Sequence, residues 1–495
     1  MIDYLAFNAR YHPERQATGD LNSPGRWTYR EFDELVARYA TALAKHGMRR
    51  GERLACLAKN CISLVALHLA CARLGAIYVP LNWRWSPVEI GRVLDETEPE
   101  LVLGDSLLGA QQINGVDIDE FDSEADACEI HPTREIDPDL PSLILFTSGT
   151  SGRPKGAVLT ERNLAETALN ASLLLRVTQD SVFLCDAPMF HVIGLVANIR
   201  PVLMQGGSFL VSDGFEPART LQRLADPELH ITHYFCVPQM AGALRAEPAF
   251  DPVGLQGLTA LFTGGAPHPA ASITKWLDDG ILAVDGFGMS EAGTVFGMPV
   301  DAGVIRSRTG SCGLAAPRLA TRIVSDSGEV LGPGDAGELQ LRGKNIFSEY
   351  WRRPEDSRSA FTVDGWFHTG DIARCDAEGF HWIVDRKKDM FISGGENVYP
   401  AEIEAALLEL DDIAECAVVG VADERWGESG HLYVVIRPGC ELNDEQVLAH
   451  LQSRIARYKI PKQVSFIDAL PRNAAGKILK DLLRTRHKES SDELE

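Results

Sequence analysis

Residues 147–156 read Thr-Ser-Gly-Thr-Ser-Gly-Arg-Pro-Lys-Gly, a loop composition suited to wrapping an oligophosphate. Gly149 and Gly152 let backbone N–H groups approach phosphate oxygens. Thr147, Ser148, Thr150 and Ser151 add hydroxyl donors, and Arg153 and Lys155 add positive charge. The loop follows the apolar run 143–146 (Leu-Ile-Leu-Phe), which predicts a strand feeding it. It is not a Walker A loop. Pro154 precedes Lys155 and Gly156 follows it, so the hydroxyl that would hold Mg²⁺ is missing. Taken alone, a Gly/Ser turn between two strands has the same composition.

Two further glycine loops follow predicted strands. Gly264, Gly265, Ala266 and Pro267 come after Leu261-Phe262, and Gly286, Phe287, Gly288, Met289, Ser290 and Glu291 come after 281–284. Glycines past strand ends admit a flat ring or a phosphate, and open α/β sheets bind ligands at those carboxyl ends. Either loop alone also reads as a tight turn. Four downstream segments carry polar residues at fixed spacing: 364–371 ending in Asp371, 385–389 with Arg386 and Lys388, 393–404 with Gly394, Gly395 and Glu396, and 471–478 with Lys477. Read without context these are a turn, a solvated charge run, a turn before a helix, and a surface lysine.

In this order and spacing the segments resemble the adenylate-forming enzymes, a superfamily of acyl- and aryl-CoA synthetases, firefly luciferase and the adenylation domains of peptide synthetases. The resemblance runs from the phosphate loop to Lys477 and implies ATP, Mg²⁺ and coenzyme A as cofactors. It implies that the Gly264 loop and Phe287 flank adenine, Ser290 faces the phosphates, and Glu291 ligates Mg²⁺. The family more often has Thr at position 290, and Ser keeps the hydroxyl. Asp371 and Arg386 meet the ribose, Lys388 is a hinge, Gly394, Gly395 and Glu396 line the pantetheine tunnel, and Lys477 is the catalytic lysine. Thr147 and Glu291 join Lys477 as catalytic candidates by the same resemblance. The form SGGENVYP at 393–400 looks especially like the acyl-CoA synthetases.

A chain of 495 residues exceeds what one core usually supports, which predicts at least two domains. A net charge of −22 argues against nucleic acid, so an anionic nucleotide must be held by local cations. The ten cysteines form no C-x-x-C pair, as expected of buried thiols in a reducing compartment. The N-terminus has Asp3 early and no long apolar core, unlike a signal peptide. The apolar segment 61–81 is broken by His68, Arg73, Gly75 and Pro80 and predicts a buried helix and strand rather than a membrane span. These features imply a cytoplasmic protein without an integral membrane segment, and they leave a homodimer open.

The elements that must position the loops alternate. Thr28-Tyr29-Arg30-Glu31 is a capping box, with Phe32, Leu35, Tyr39 and Leu43 following at helical spacing. Strands and helices then alternate through most of the first four hundred residues, predicting parallel sheets covered on both faces. From about Arg318 short strands with turns predict an antiparallel, barrel-like section, and after Lys388 the pattern is a small α+β unit. The expected fold is α/β: a large N-terminal domain over 1–388 of two doubly wound sheets plus a distorted barrel, and a small mobile α+β domain over 389–495. Only the charged tail after His487 reads as disordered.

The implied reaction joins a small-molecule carboxylic acid, ATP and CoA, through an acyl-adenylate, into a thioester. The resemblance places an acyl pocket at His191, Ile193, Ala197, Val237, Pro238, Thr263, Gly288, Ala292 and Val295, mostly small or apolar, which favours a hydrophobic fatty or aromatic acid. The stretch 192–197 (Val-Ile-Gly-Leu-Val-Ala) has no acid to pair with an ammonium, which disfavours amino acids. Transfer to a carrier-protein thiol, or an aryl acid of the 4-coumarate or ferulate kind as the specific substrate, remains an alternative.

Overall fold

The computed structural model describes residues 3–130, 135–147, 154–266, 268–393, 396–423, 425–452, 454–472 and 478–492. By internal contacts the chain divides into two units. One comprises 1–321 and 341–367, and the other 322–340 and 368–495. This differs from a division at Lys388, because the antiparallel segments 322–340 and 368–388 group with the C-terminal part.

The first unit is built on two sheets. In the nine-stranded sheet the strands Gln16–Asp20, Ser208–Val211, Val182–Cys185, His233–Cys236, Ala260–Thr263 and Ala283–Met289 run parallel side by side, with antiparallel strands at both edges. The seven-stranded sheet has a parallel centre of Pro141–Thr147, Ile77–Pro80, Arg53–Leu57 and Leu101–Gly104. Such centres are buried on both faces, and their strands are nearly continuous in apolar residues. The apolar segment at 61–81 is indeed a helix, Ile62–Leu74, ended by Gly75 in the left-handed conformation and followed by the strand Ile77–Pro80. Among the described residues no helix is long and apolar enough to cross a membrane. The capping box forms as read. The Thr28 side chain accepts from Glu31 N–H, and Glu31 reaches back to the Thr28 N–H, opening the helix Tyr29–Lys45.

Where the sequence predicts a barrel-like section, Leu319–Val324, Gly337–Gly343, Phe367–Cys375 and His381–Arg386 form a four-stranded sheet. The rest of the second unit is a five-stranded sheet dominated by the long hairpin Ile413–Asp423 and Gly427–Ile436. Val418, Leu432 and Val434 pack with Ile403 and Leu407 of the helix Pro400–Leu407. Val419 and Tyr433 pack on Leu483. Of the charged tail after His487, which reads as disordered, residues 488–492 are helical. A helix runs over Lys480–Asp492, with its Leu483 buried and the Leu483 carbonyl accepting from the Tyr433 hydroxyl at 3.0 Å. Lys, Arg and Glu are good helix formers, and the buried Leu483 anchors the helix ahead of that tail.

Candidate active site

The phosphate-loop segment joins two antiparallel strands, Pro141–Thr147 and Lys155–Thr160, in which Thr147 stands opposite Lys155. The Thr147 hydroxyl donates to the Lys155 carbonyl at 3.3 Å. A strand follows the loop where a Walker A loop would open a helix, which accounts for the failed match. Ser148, Gly149, Thr150, Ser151, Gly152 and Arg153 lie outside the described residues.

A two-residue strand, Glu349–Tyr350, pairs with the far side of Lys155–Thr160 and sets Tyr350 opposite Ala157. Residues 155 and 157 share a face of the pleat, so Tyr350 is a diagonal neighbour of Lys155. The ammonium lies 5.3 Å from the Tyr350 ring centroid and 2.7 Å from Asp356 Oδ1. The Tyr350 hydroxyl donates to Glu291 Oε1 at 3.0 Å. Glu291 is 8% exposed. The sequence-predicted Glu291 and Lys155 are thus joined through Tyr350, which sequence reasoning missed, as it missed Asp356.

The glycine loops of the nine-stranded sheet also meet. Gly264 and Gly265 follow the strand Ala260–Thr263, and Gly265 has φ +83°, a conformation that disfavours other residues. A Cβ there would lie 3.4 Å from Ile193 Cδ1 and 3.6 Å from Val237 Cγ1, so two acyl-pocket candidates converge on this loop. Gly286, Phe287, Gly288 and Met289 lie within the strand Ala283–Met289, which turns through Ser290 and Glu291 into Gly293–Gly297. A side chain on Gly288 would strike the Gly293 carbonyl at 2.5 Å, so only glycine permits the close return. Both loops are tied at their bases. The Thr263 hydroxyl lies 2.9 Å from Asp285 Oδ1 and 2.9 Å from His268 Nδ1. Burial pushes the Asp285 carboxyl up to about 7 and His268 down to about 4.

The remaining pocket candidates divide by exposure. His191, Ile193, Val237 and Gly288 keep some surface, whereas Ala197, Pro238, Thr263, Ala292 and Val295 are buried. Burial, and then the nearby Arg84, hold His191 down at about 4, so its imidazole is neutral at pH 7. Arg84 stacks over Trp83 at 4.9 Å and over Phe190 at 6.0 Å. The segment Ile193–Ala197 is a π-helix, closed by the Asn198 N–H donating to the Ile193 carbonyl at 3.1 Å. Such turns are uncommon and recur at functional sites. An apolar run gives no sequence signal that separates an i→i+5 turn from an ordinary one.

In the second unit, Asp371 is 1% exposed and stands opposite Arg386 on the adjacent strand. Arg386 Nε lies 2.6 Å from Asp371 Oδ1. The Thr369 hydroxyl, which donates to the Leu339 carbonyl at 2.7 Å, accepts from the Asp371 N–H. Lys388 is exposed in the turn after His381–Arg386, while the acids on either side of it are tied down. Asp385 accepts from the Ala401 N–H at 2.8 Å, and Asp389 pairs with Arg484. Glu396 opens the exposed start of Glu396–Val398. Pro267, Gly394, Gly395 and Lys477 lie outside the described residues.

The family model of the AMP-binding enzymes matches residues 5–351, and that of their C-terminal domain matches 402–477. The chain belongs to the AMP-binding enzyme family. This AMP-binding enzyme is 38% identical over 472 residues to a feruloyl-CoA synthase of Amycolatopsis sp, covering 93% of this chain and 94% of that one. It is 37% identical over 479 residues to an indoleacetate–CoA ligase of Aromatoleum aromaticum, covering 92% of each. Among solved structures, ATP-bound MatB from Rhodopseudomonas palustris superposes on the AMP-binding enzyme with a TM-score of 0.89. The identity is 29%, over 98% of this chain and 99% of that one. The doubly wound α/β architecture and smaller C-terminal unit are those of this fold.

Proposed function

We propose that this protein is an AMP-forming acid–CoA ligase, with a hydrophobic, ring-bearing carboxylic acid as substrate. The observation that carries the reading is the joining of Glu291 and Lys155 through Tyr350 inside the matched AMP-binding region. ATP, Mg²⁺ and CoA are its cofactors. The relatives named for feruloyl-CoA and for indoleacetate favour an aromatic acid. The apolar Ile193 and Val237 side chains beside Gly265 suit a hydrophobic acid, fatty or aromatic alike.

Glu291 fits a hard divalent cation, since Mg²⁺ takes one or two carboxylates together with substrate phosphates. Among the described residues no group of three or more His, Cys, Asp or Glu could by itself hold a metal ion. When bound, Mg²⁺ neutralises charge on the triphosphate. The chain's own residues position the reactants. The phosphate loop with Thr147 and Lys155 holds the triphosphate, and Gly264, Gly265, Ala266, Gly286, Phe287, Gly288 and Met289 bracket the adenine. Ser290 faces the phosphates, and Asp371 and Arg386 hold the ribose. Lys477 stabilises the charge that develops when the acid's carboxylate attacks the α-phosphate and pyrophosphate leaves. The C-terminal domain, 389–495, then turns about Lys388 and withdraws Lys477. The loop of Gly394, Gly395 and Glu396 takes its place, and the CoA thiol, losing its proton, attacks the acyl carbonyl of the acyl-adenylate; the thioester forms as the acyl–oxygen bond to phosphate breaks and AMP leaves. All ten cysteines are free, as suits a cytoplasmic enzyme.

The test is kcat/KM for AMP release, dependent on both ATP and CoA, across acetate, hexanoate, decanoate, benzoate, 4-coumarate and phenylalanine. Burying an unpaired ammonium costs several kcal/mol, whereas each buried methylene gains about 0.8 kcal/mol. An aromatic acid should lead, and phenylalanine should be among the poorest. Acetate or phenylalanine as best substrate overturns the substrate assignment, and AMP release indifferent to CoA overturns the ligase assignment.

A further inference from the structure

Tyr350 stands where three pieces of the first unit meet. Its strand is laid against Lys155–Thr160, its ring is beside the Lys155 ammonium, and its hydroxyl reaches the Glu291 carboxylate. The same short segment also grips the main chain around Glu291. The Phe347 N–H donates to the Glu291 carbonyl at 2.7 Å, and Asn345 Nδ2 donates to the Ala292 carbonyl at 2.7 Å. The Phe347 ring packs on Tyr350 with centroids 4.7 Å apart. Residues 345–350 therefore fix Glu291 by backbone and by side chain at once. Asp356, in the helix Pro354–Ser359 that follows, holds Lys155 from another side.

A carboxylate that binds a hard cation does so best when its rotation is already restricted. A donor on one of its oxygens supplies that restriction, and loss of such an outer partner typically costs 10–100-fold in metal affinity. An aromatic face attracts an ammonium through its ring quadrupole, and the Lys155 ammonium is shared between the Tyr350 ring and the Asp356 carboxylate.

Building on the assignment of Glu291 and Lys155 to the ATP site, we propose that Tyr350 is a positioning residue with two separable duties. Its hydroxyl orients Glu291 for Mg²⁺, and its ring holds Lys155 beside the phosphate loop. The two duties lie on different parts of one side chain, so two substitutions divide them. Tyr350→Phe keeps the ring and its packing on Phe347 and removes only the donor. Tyr350→Leu removes both.

The readout is ATP binding to the full-length protein by equilibrium dialysis, first in EDTA and then along a MgCl₂ titration. In Tyr350→Phe, the Mg²⁺ concentration for half-maximal enhancement of ATP binding should rise about tenfold or more, with ATP affinity in EDTA unchanged. Tyr350→Leu should show that shift and also bind ATP several-fold more weakly in EDTA. A purely structural tyrosine would lower the melting temperature without moving the Mg²⁺ midpoint. A wild-type Mg²⁺ midpoint in Tyr350→Phe overturns the hydroxyl's role, and wild-type ATP affinity of Tyr350→Leu in EDTA overturns the ring's. Glu291→Gln in the same titration separates the layers. If it shifts the midpoint and Tyr350→Phe does not, only the Tyr350 proposal fails. If Glu291→Gln also leaves the midpoint unmoved, the assignment of Glu291 to the metal fails with it.

Discussion

Arg386 Nε lies 2.6 Å from Asp371 Oδ1, and the two residues face each other directly across an antiparallel register. An Asp oxygen engaged by a fixed guanidinium is held in orientation, and a carboxylate can accept from both hydroxyls of a vicinal diol. If Asp371 reads the ribose, Asp371→Ala should raise the KM for ATP by two orders of magnitude or more, since each charged hydrogen bond contributes about 1.5–3 kcal/mol. It should also erase the preference for ATP over 2′-deoxy-ATP. Steady-state kinetics with both nucleotides checks this, and a preserved preference in Asp371→Ala removes the residue from the ribose site.

Lys477 is proposed to act in the first half-reaction alone. Lys477→Ala should lose adenylation, followed by pyrophosphate exchange, by several orders of magnitude. Thioester formation from supplied acyl-adenylate and CoA should continue at close to the wild-type rate. Equal loss in both assays, with an unchanged circular dichroism spectrum, would mean that the lysine is not specific to either step.

Lys388 is exposed in a turn whose flanking acids are both tied down, Asp385 to the Ala401 N–H and Asp389 to Arg484. The Asp385–Ala401 bond bridges the two sides of Lys388, so a turn of the C-terminal domain about this position must break it. Lys388→Pro fixes φ there and restricts Lys387 as well. Pyrophosphate exchange should persist while CoA transfer collapses, as measured by the two partial reactions. Normal overall turnover in this variant would rule out the hinge.

Asp285 supplies a prediction about pH. Burial raises its folded-state value to about 7, above the usual carboxylate range of about 4. The folded protein therefore keeps a proton that the unfolded chain has already lost. For this group, stability is highest below about pH 4, declines as pH rises towards 7, and is level above that. Asn cannot ionise, and its oxygen still accepts from the Thr263 hydroxyl. The melting temperature of Asp285→Asn relative to wild type should accordingly climb by several degrees from pH 5 to pH 8 in scanning calorimetry. A difference that is flat with pH would show that Asp285 does not titrate in this range.

The alternation of elements, the capping box at Thr28 and the break of the apolar segment at Gly75 were legible because each is written in neighbouring residues. Glu291, Lys155, Asp371 and Arg386 were singled out through their motifs, although Tyr350 and Asp356, which contact Glu291 and Lys155, were not. Tyr350 and Asp356 lie in Glu-Tyr-Trp-Arg-Arg-Pro-Glu-Asp, a polar segment without a glycine cue. They reach the site through a two-residue strand paired with residues almost two hundred positions earlier, and no local pattern encodes a register of that span. The Thr263, Asp285 and His268 network is hidden for the same reason, since three separate positions meet only once the parallel strands align. The helical continuation over 488–492 was not legible because its anchor, Leu483, lies ahead of the charged tail.

The hairpin origin of the phosphate loop constrains how its sequence can change over evolution. Length variation between Thr147 and Lys155 falls in a connection and leaves the facing pair intact. One added residue between Lys155 and Ala157 would instead reverse the parity of the ladder and turn the lysine to the opposite face of the sheet, away from Tyr350. The register alone therefore excludes insertions and deletions at residues 155–157, whatever the loop before them binds.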